Sequence, residues 1–446
     1  MKNETDGASE RGGMRAVARE IFIHALSECS IDRAFERHIG YEHQVLRVCE
    51  DLFDLSLFSR VFVVSIGKAA HACAEALVTR LGIGAGTTGI ICGPTDPAAQ
   101  LHGFRYYRGG HPMPNVESVK AATDILRTLG NLDAHSLVIY LLSGGGSALV
   151  ESPIDEDIAI DDLVATYRAL VHSGAPIAEI NAIRKHLSAI KGGRMAAAAS
   201  PAQQVSILIS DVPDDALDAL ASGPTMPDSS TVGTCVEIVD RYKLLKEFPA
   251  SVRALFERRA LDETPKKDDP IFARSRWWTV LSNEDFRRSA WEKATQLRFT
   301  VVVDTSCDDW DYQDAANYLL RRVRDLRARD AARICLISGG EVTVKIEGDP
   351  GIGGRNQQFA LYCAQKIAGE NITVLSAGSD GVDGNSLSAG AIADGTTIAR
   401  AVSLGLDPKQ LLQHFNAYPL FHALGDDIMI GPSGNNVRDL RVVLAF

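Results

Sequence analysis

Between residues 136 and 142 the chain reads SLVIYLL, with no charge, and then passes through SGGGS into ALVESP. A run of Leu, Val, Ile and Tyr this long has the length of a strand, and the lack of polar alternation means that both of its faces must be covered. A strand covered on both faces needs helices on each side of its sheet, which restricts the chain to an α/β architecture. Glycines at the strand exit permit φ > 0 and let backbone N–H groups approach an anion closely. A tight turn without chemical consequence has the same composition, so the loop alone leaves both readings open.

The rest of the chain repeats this pattern. RVFVVSI (60–66), TGIIC (88–92) and QVSILIS (204–210) read as buried strands, and NVESVKAATDILRTLG reads as a helix capped by Asn115. Met14, Val17, Ala18, Ile21 and Ala25 mark one face of an earlier amphipathic helix. This spacing predicts a mostly parallel sheet, whose ligands lie beyond the carboxyl ends of the strands. Ser143, Gly144, Gly145, Gly146 and Ser147 fall at that edge and are candidate anion-binding residues.

The charged, proline-bearing segment RRALDETPKKDDP (258–270) is the expected linker, dividing the chain into domains 1–270 and 271–446. Beyond it WWTVLS, FTVVVD, ICLIS, VTVKI, ITVLS and RVVLAF read as strands. ICLISGGEVTVKIEG is expected to be two strands about a sharp turn, making the second sheet mixed. LLSGG at 141–145 and LISGG at 336–340 place a similar loop in each half, and two such loops predict a cleft between the domains.

Composition excludes several function classes. The net charge of −11 argues against a nucleic-acid partner or an anionic membrane surface, both of which need clustered Lys and Arg. No apolar run approaches the roughly 20 residues that span a bilayer. The opening MKNETDGASERGG has no apolar signal core, so a cytoplasmic location is expected. Eight cysteines (29, 49, 73, 92, 235, 307, 335 and 363) form no Cys-x-x-Cys pair and read as reduced core thiols.

An anion site in so acidic a chain must be local, and the basic residues indicate where. Lys68 follows Gly67 in what reads as the first turn of a helix, and Arg355 follows Gly353 and Gly354 at the start of RNQQFALYCAQKIAG. A cation there opposes the helix dipole unless an anion binds or the side chain bends away to solvent. Lys191 and Arg194 flank two further glycines. Asp211, Asp380 and Asp383 follow strands and are suited to a metal, to a substrate hydroxyl or simply to capping turns. Asn283 follows another strand and belongs to the same rim.

At these residues the chain resembles the type II glycerate kinase family, whose C-terminal half is the MOFRL domain. The resemblance rests on SIGKAA, GGHPMPN, LLSGGGSALVESP, NAIRKHLSAIKGGR, ISDVPDDALDALASGPT, ISGGEVTV, GGRNQQFAL, SAGSDGVDG and GPSGNNVRDL, in that order. It implies a Rossmann-like, mostly parallel N-terminal domain, a smaller α/β domain with a mixed sheet, and a site in the interdomain cleft. It implies ATP and a divalent metal such as Mg²⁺ as cofactors, and D-glycerate as the substrate phosphorylated to 2-phosphoglycerate, by a monomer or homodimer. Lys68, Asp211 and Arg355 are then the expected catalytic residues. Substrate and phosphate contacts are expected at Ser143 to Ser147, Lys191, Arg194, Asn283, Glu341, Gly353, Gly354 and Asn356, and metal contacts at Asp380 and Asp383. The chain departs from the family pattern at Asp214, which replaces a glycine, and at Leu387, where an acidic residue is usual.

Two other classes remain. An NAD(P)-dependent hydroxypyruvate reductase suits a Rossmann-like half, but SGGGSALVESP lacks G-x-G-x-x-G and carries Pro153 where a cofactor helix would run. A non-catalytic phosphosugar-binding module would also use Ser and Gly loops. A serine hydrolase is disfavoured because Ser147 is followed by Ala148 and Leu149, with no G-x-S-x-G elbow.

Overall fold

A computed structural model describes residues 2–82, 86–97, 99–213, 216–329, 333–346 and 348–446, which divide into two compact units, Ala34–Val280 and Met1–Arg33 with Leu281–Phe446. Unit Ala34–Val280 opens with a small antiparallel meander, β1 (Ile39–Glu42), β2 (Val45–Val48) and β3 (Asp51–Asp54). Four-residue strands carry too little periodicity to be read from sequence, and none was expected there. The main sheet follows: β4 (Arg60–Ile66), β5 (Thr88–Gly93), β6 (Phe104–Arg108), β7 (Ser136–Ser143), β8 (Gln203–Ile209) and β9 (Ser275–Leu281). Its order is β6-β5-β4-β7-β8-β9, and β4 pairs in parallel with both β5 and β7.

All eight residues of β7 are buried, as the unbroken apolar run required. Phe62, Val64, Tyr140 and Leu142 share a core with Ala121, Ala122, Ile125 and Leu129 of the helix Val116–Leu129. That helix starts where expected, in a capping box. The Asn115 side chain accepts from the Ser118 N–H at 2.9 Å, and the Ser118 hydroxyl accepts from the Asn115 N–H at 3.1 Å. Residues 275–281, expected in the second domain, are instead the edge strand of this first sheet, so the charged segment 258–270 precedes the last strand of its own unit.

The other unit contains β10 (Thr300–Val303), β11 (Ile334–Gly339), β12 (Ile372–Gly378), β13 (Gly390–Asp394) and β14 (Asp439–Ala445). The order is β10-β11-β14-β12-β13; β14 is antiparallel to both neighbours and β10 parallel to β11, so the sheet is mixed as expected. VTVKI, however, is not a strand, and only an isolated bridge joins Thr343 to Asp311. The places beside β11 are taken by β10 and by β14, which arrives from the far end of the chain. The helix Lys2–Glu28 also belongs to this unit. Its Ala18, Ile21, Phe22 and Ala25 are fully buried, Phe22 meets Phe286 edge-on at 5.7 Å, Arg15 pairs with Asp394, and Arg19 donates to the Asp427 carbonyl at 2.8 Å.

The eight cysteines are free thiols, seven of them buried. Among the described residues no helix is long and apolar enough to cross a membrane.

The exits of β4 and β7 are stitched together. The Lys68 N–H donates to the Gly144 carbonyl at 2.9 Å, and the Ala69 N–H donates to Ser143 Oγ at 3.1 Å. This approach requires Gly67, whose φ is +131° and where a Cβ would lie 2.0 Å from Ser143 Oγ and 2.6 Å from its carbonyl oxygen. Gly67→Ala should therefore cost roughly 3 kcal/mol from backbone strain and overpacking together, read as a lower urea midpoint. An unchanged midpoint would mean that the two exits can separate freely.

Candidate functional site

The glycine turn after β7 has the geometry of an anion cradle. Gly145 adopts φ +81°, and a Cβ there would sit 3.1 Å from the His111 ring and 3.2 Å from Lys68 Cγ, so glycine keeps both side chains against the turn. Residues Gly146–Leu149 form one helical turn. Among the described residues nothing accepts from the N–H groups of Gly145, Gly146 or Ser147. Ser147 Oγ shares a 2.9 Å hydrogen bond with Ser222 Oγ, and Ala221 and Ser222 adopt φ of 50° and 61°. Two successive non-glycine residues in the left-handed region store strain beside the turn, as functional sites often do. A cavity of about 120 Å³ opens here, lined by His111, Gly145, Ser147, Tyr167 and Arg184 among others. Burial and then the neighbouring Lys68 hold the His111 pKa below its ordinary value, which favours the neutral ring.

The structure separates the expected cations of this unit. Lys68 lies just outside the helix Ala70–Leu81, which is capped by Ala69, and not in its first turn. It is exposed, and among the described residues no carboxylate pairs with it. Ser143 is buried and spent on the stitch to Ala69. Arg194 donates to the carbonyls of Asp262 at 3.0 Å and Glu263 at 3.5 Å, tying down the charged segment. Asp211, immediately after Ser210 and β8, is partly buried; Asp214 lies outside the described residues.

Lys191 does not have the surroundings expected of a phosphate ligand. It is fully buried and paired with the equally buried Glu151, whose carboxylate also accepts from the hydroxyls of Tyr167 at 2.7 Å and Ser188 at 2.5 Å. Burial pushes the Lys191 pKa down despite Glu151, and it is the contact with Glu151 that already occupies the ammonium. Lys191→Met should break the buried ion pair and leave Glu151 only the unpaired Arg184 nearby, at a cost of about 3–5 kcal/mol in chemical denaturation. A variant as stable as the parent would return Lys191 to the anion site.

In the second unit the rim beyond β11, β12 and β14 is a network of paired charges. Arg355 begins the helix Arg355–Lys366. Its Nε and Nη2 donate to the buried Asp439 at 2.6 and 2.9 Å, and Nη2 also donates to Glu341 at 2.7 Å. Burial opposes its charge, but Asp439 and then Glu341 outweigh this and raise its pKa. The helix dipole is answered by Asp383, which accepts from the N–H groups of Asn356 at 3.1 Å and Gln357 at 2.8 Å. The adverse cation expected from sequence is thus compensated by residues far along the chain. Gly354 is the N-cap, and Gly353 donates its N–H to Asn385.

Asn283 braces the strand ends, with Nδ2 donating to the carbonyls of Val437 at 2.7 Å and Asp439 at 3.0 Å and Oδ1 accepting from the Gly340 N–H at 3.3 Å. Asn356 is buried and accepts from Ser376 Oγ at 2.6 Å. Asp380 closes a turn by accepting from the Val382 N–H at 3.2 Å, and Leu387 is 73% exposed. Among the described residues no group of three or more His, Cys, Asp or Glu could hold a metal ion. Asp383, one of the two expected metal contacts, faces a helix terminus.

Burial pushes Asp383 up to about 7, against the opposing pull of its two N–H donors. Its folded pKa therefore exceeds its unfolded value, so the folded chain holds a proton that the unfolded chain releases. Stability from this group is present at low pH and declines as pH rises from about 4 through 7. Asp383→Asn should flatten that slope in urea titrations between pH 5 and 7, and equal slopes in parent and variant would show that the carboxylate stays ionised.

Several residues of these rims were not singled out from sequence. His111 and Arg184 sat unremarked within GGHPMPN and NAIRKHLSAIKGGR, and Asp439 within GPSGNNVRDL. Their signal was membership of those motifs, whereas their partners are set by tertiary contacts.

Comparison with known proteins matches two family models to successive stretches of the chain. Residues 17–257 match the family model described as a domain of unknown function, DUF4147, and residues 334–439 match the MOFRL family. The chain is 35% identical over 402 residues to a D-glycerate 2-kinase of Thermotoga maritima, covering 89% of this chain and 93% of that one. It is 34% identical over 398 residues to an Agrobacterium vitis protein provisionally named a hydroxypyruvate reductase, covering 86% and 87% of the two. A crystal structure of a glycerate kinase from Thermotoga maritima superposes with a TM-score of 0.84 at 32% identity, covering 98% of this chain and 100% of that one. The chain belongs to the glycerate kinase family that combines a DUF4147 domain with a MOFRL domain.

Proposed function

We propose that the chain transfers the γ-phosphoryl group of ATP to D-glycerate, giving 2-phosphoglycerate and ADP. The observation that carries this reading is Lys68, an exposed ammonium with no carboxylate partner among the described residues, held by the stitch to Gly144 beside a turn of unpaired N–H groups. Such a group has no internal carboxylate to give up when negative charge develops on a transferring phosphoryl. In the proposed step a glycerate hydroxyl oxygen bonds to phosphorus as the bond to the leaving ADP oxygen breaks, and Asp211 takes the hydroxyl proton. The described residues do not by themselves build a metal site, so a divalent cation would come with the nucleotide, where it would neutralise phosphate charge.

Arg355 is given a smaller electrostatic part than Lys68, because Asp439 and Glu341 already offset its charge. Lys68→Ala should lower kcat by on the order of 10³-fold, comparable to the loss of a transition-state cation, with an unaltered unfolding curve. Arg355→Ala should lower kcat less and also destabilise the fold by roughly 1–3 kcal/mol, because Asp439 is left buried without its partner. Phosphorus NMR of ATP, Mg²⁺, D-glycerate and protein reads both transfer and its position, and an ATP spectrum unchanged over hours would sink the kinase reading. The provisional name of the Agrobacterium vitis relative favours testing one alternative, hydroxypyruvate reduction, by following NADH absorbance with hydroxypyruvate.

A further inference from the structure

The small cavity beside the glycine turn is bordered by a cation that the mechanism above does not use. Arg184 is partly buried, and its guanidinium carbon stands 4.9 Å from the centre of the Tyr167 ring, which fixes its approach. Its natural partner would be Glu151, but that carboxylate is fully engaged. Glu151 Oε1 accepts from Ser188 Oγ at 2.5 Å and the Ser152 N–H at 3.0 Å, while Oε2 accepts from Tyr167 at 2.7 Å and from Lys191. One buried carboxylate thus faces two cations, Lys191 and Arg184, and Lys191 holds the contact. Among the described residues no carboxylate forms an ion pair with Arg184, and its buried Nε has no acceptor. The surplus positive charge of this cluster therefore lies at the cavity wall.

The same cavity has further donors in its lining. Gly145 and Ser147, whose N–H groups have no acceptor among the described residues, line the same cavity, as does His111. The cavity of about 120 Å³ has room for a small oxyanion. A guanidinium recognises a planar carboxylate through paired N–H donors, which a lysine cannot reproduce.

We infer that Arg184, with His111 and the 145–147 backbone, forms the recognition site for the substrate carboxylate, selecting hydroxy acids over neutral polyols and esters. The assignment rests on the kinase reading for its substrate, and it gives the unpartnered cavity cation a role separate from phosphoryl transfer. Lys68 is left to the phosphoryl group, and Arg184 positions the acceptor.

The test compares the full-length parent with Arg184→Ala, Arg184→Lys and Arg184→Gln, using D-glycerate, its methyl ester and ATP. Arg184→Ala should raise the D-glycerate KM about 10- to 100-fold, the worth of a charge-assisted hydrogen-bond pair, while kcat and the ATP KM change by no more than about twofold. The parent's preference for the acid over the ester should collapse, which a merely structural residue would not cause. Arg184→Lys, which keeps the charge without the fork, should fall between, and it decides the matter if circular dichroism shows Arg184→Ala to be unfolded. Calorimetric titration of D-glycerate without nucleotide should show binding to the parent and none to Arg184→Gln. A parent that binds D-glycerate without forming product would sink the kinase reading and leave this site standing. Turnover by the parent with an unchanged D-glycerate KM in folded Arg184 variants would sink the site and leave the reading. A rise confined to the ATP KM would overturn it as well, by assigning the cation to a nucleotide phosphate.

Discussion

The close contact between the exits of β4 and β7 is the constraint on which the first unit's candidate site depends. With no Cβ at Gly67, the chain leaving β4 can lie against Ser143, and two backbone donors then lock it to the neighbouring strand's exit. Lys68 is carried to the edge of the glycine turn as a consequence. The turn itself is shaped around that side chain, because Gly145 is the position at which any larger residue would press on both Lys68 and His111. Neighbouring parallel strands end side by side, which is why ligands collect beyond the carboxyl ends of such sheets.

Charge accounting separates cations paired within the fold from unpaired ones. Lys191 is matched by Glu151, and Arg355 by Asp439 and Glu341, whereas Lys68 and Arg184 have no carboxylate in ion-pair contact among the described residues. A buried charge must be compensated by the fold or by a ligand, since desolvation costs more than a protein can leave unanswered. Arg184, partly buried, is left without that compensation, and Lys68 is compensated by solvent alone; in the proposed reading an anionic substrate would complete the electrostatics of both. By this criterion the basic residues around the first glycine turn have the better claim to chemistry, and the rim of the MOFRL unit is largely self-satisfied.

Misplaced elements show how far periodicity reaches. WWTVLS was correctly read as a strand and placed in the wrong sheet, because its alternation carries no information about which edge is open. VTVKI has the composition of a strand and forms none, since β14 and β10 occupy the positions it would need. The helix Lys2–Glu28 was legible as amphipathic from Met14 onward, yet its face is buried on the unit built from the other end of the chain. Hydrophobic pattern specifies that a face is covered; the covering partner is chosen by global packing.

The sequence by itself determined the α/β class, the buried strands and the cap at Asn115, and it located the glycine turns at strand exits. These follow from local rules: apolar runs of strand length, 3.6-residue periods, capping chemistry and the conformational demands of turns. Its ordered motifs also carried the family. Tertiary structure alone decided which charges are free. Asp439 answers Arg355 from 84 residues away, Asp383 accepts from the start of that helix 28 residues away, and Glu151 takes Lys191 while leaving Arg184 at the cavity wall. Coulomb interactions depend on distance and burial, not on separation along the chain, so a cation's role cannot be read until its neighbours are in place.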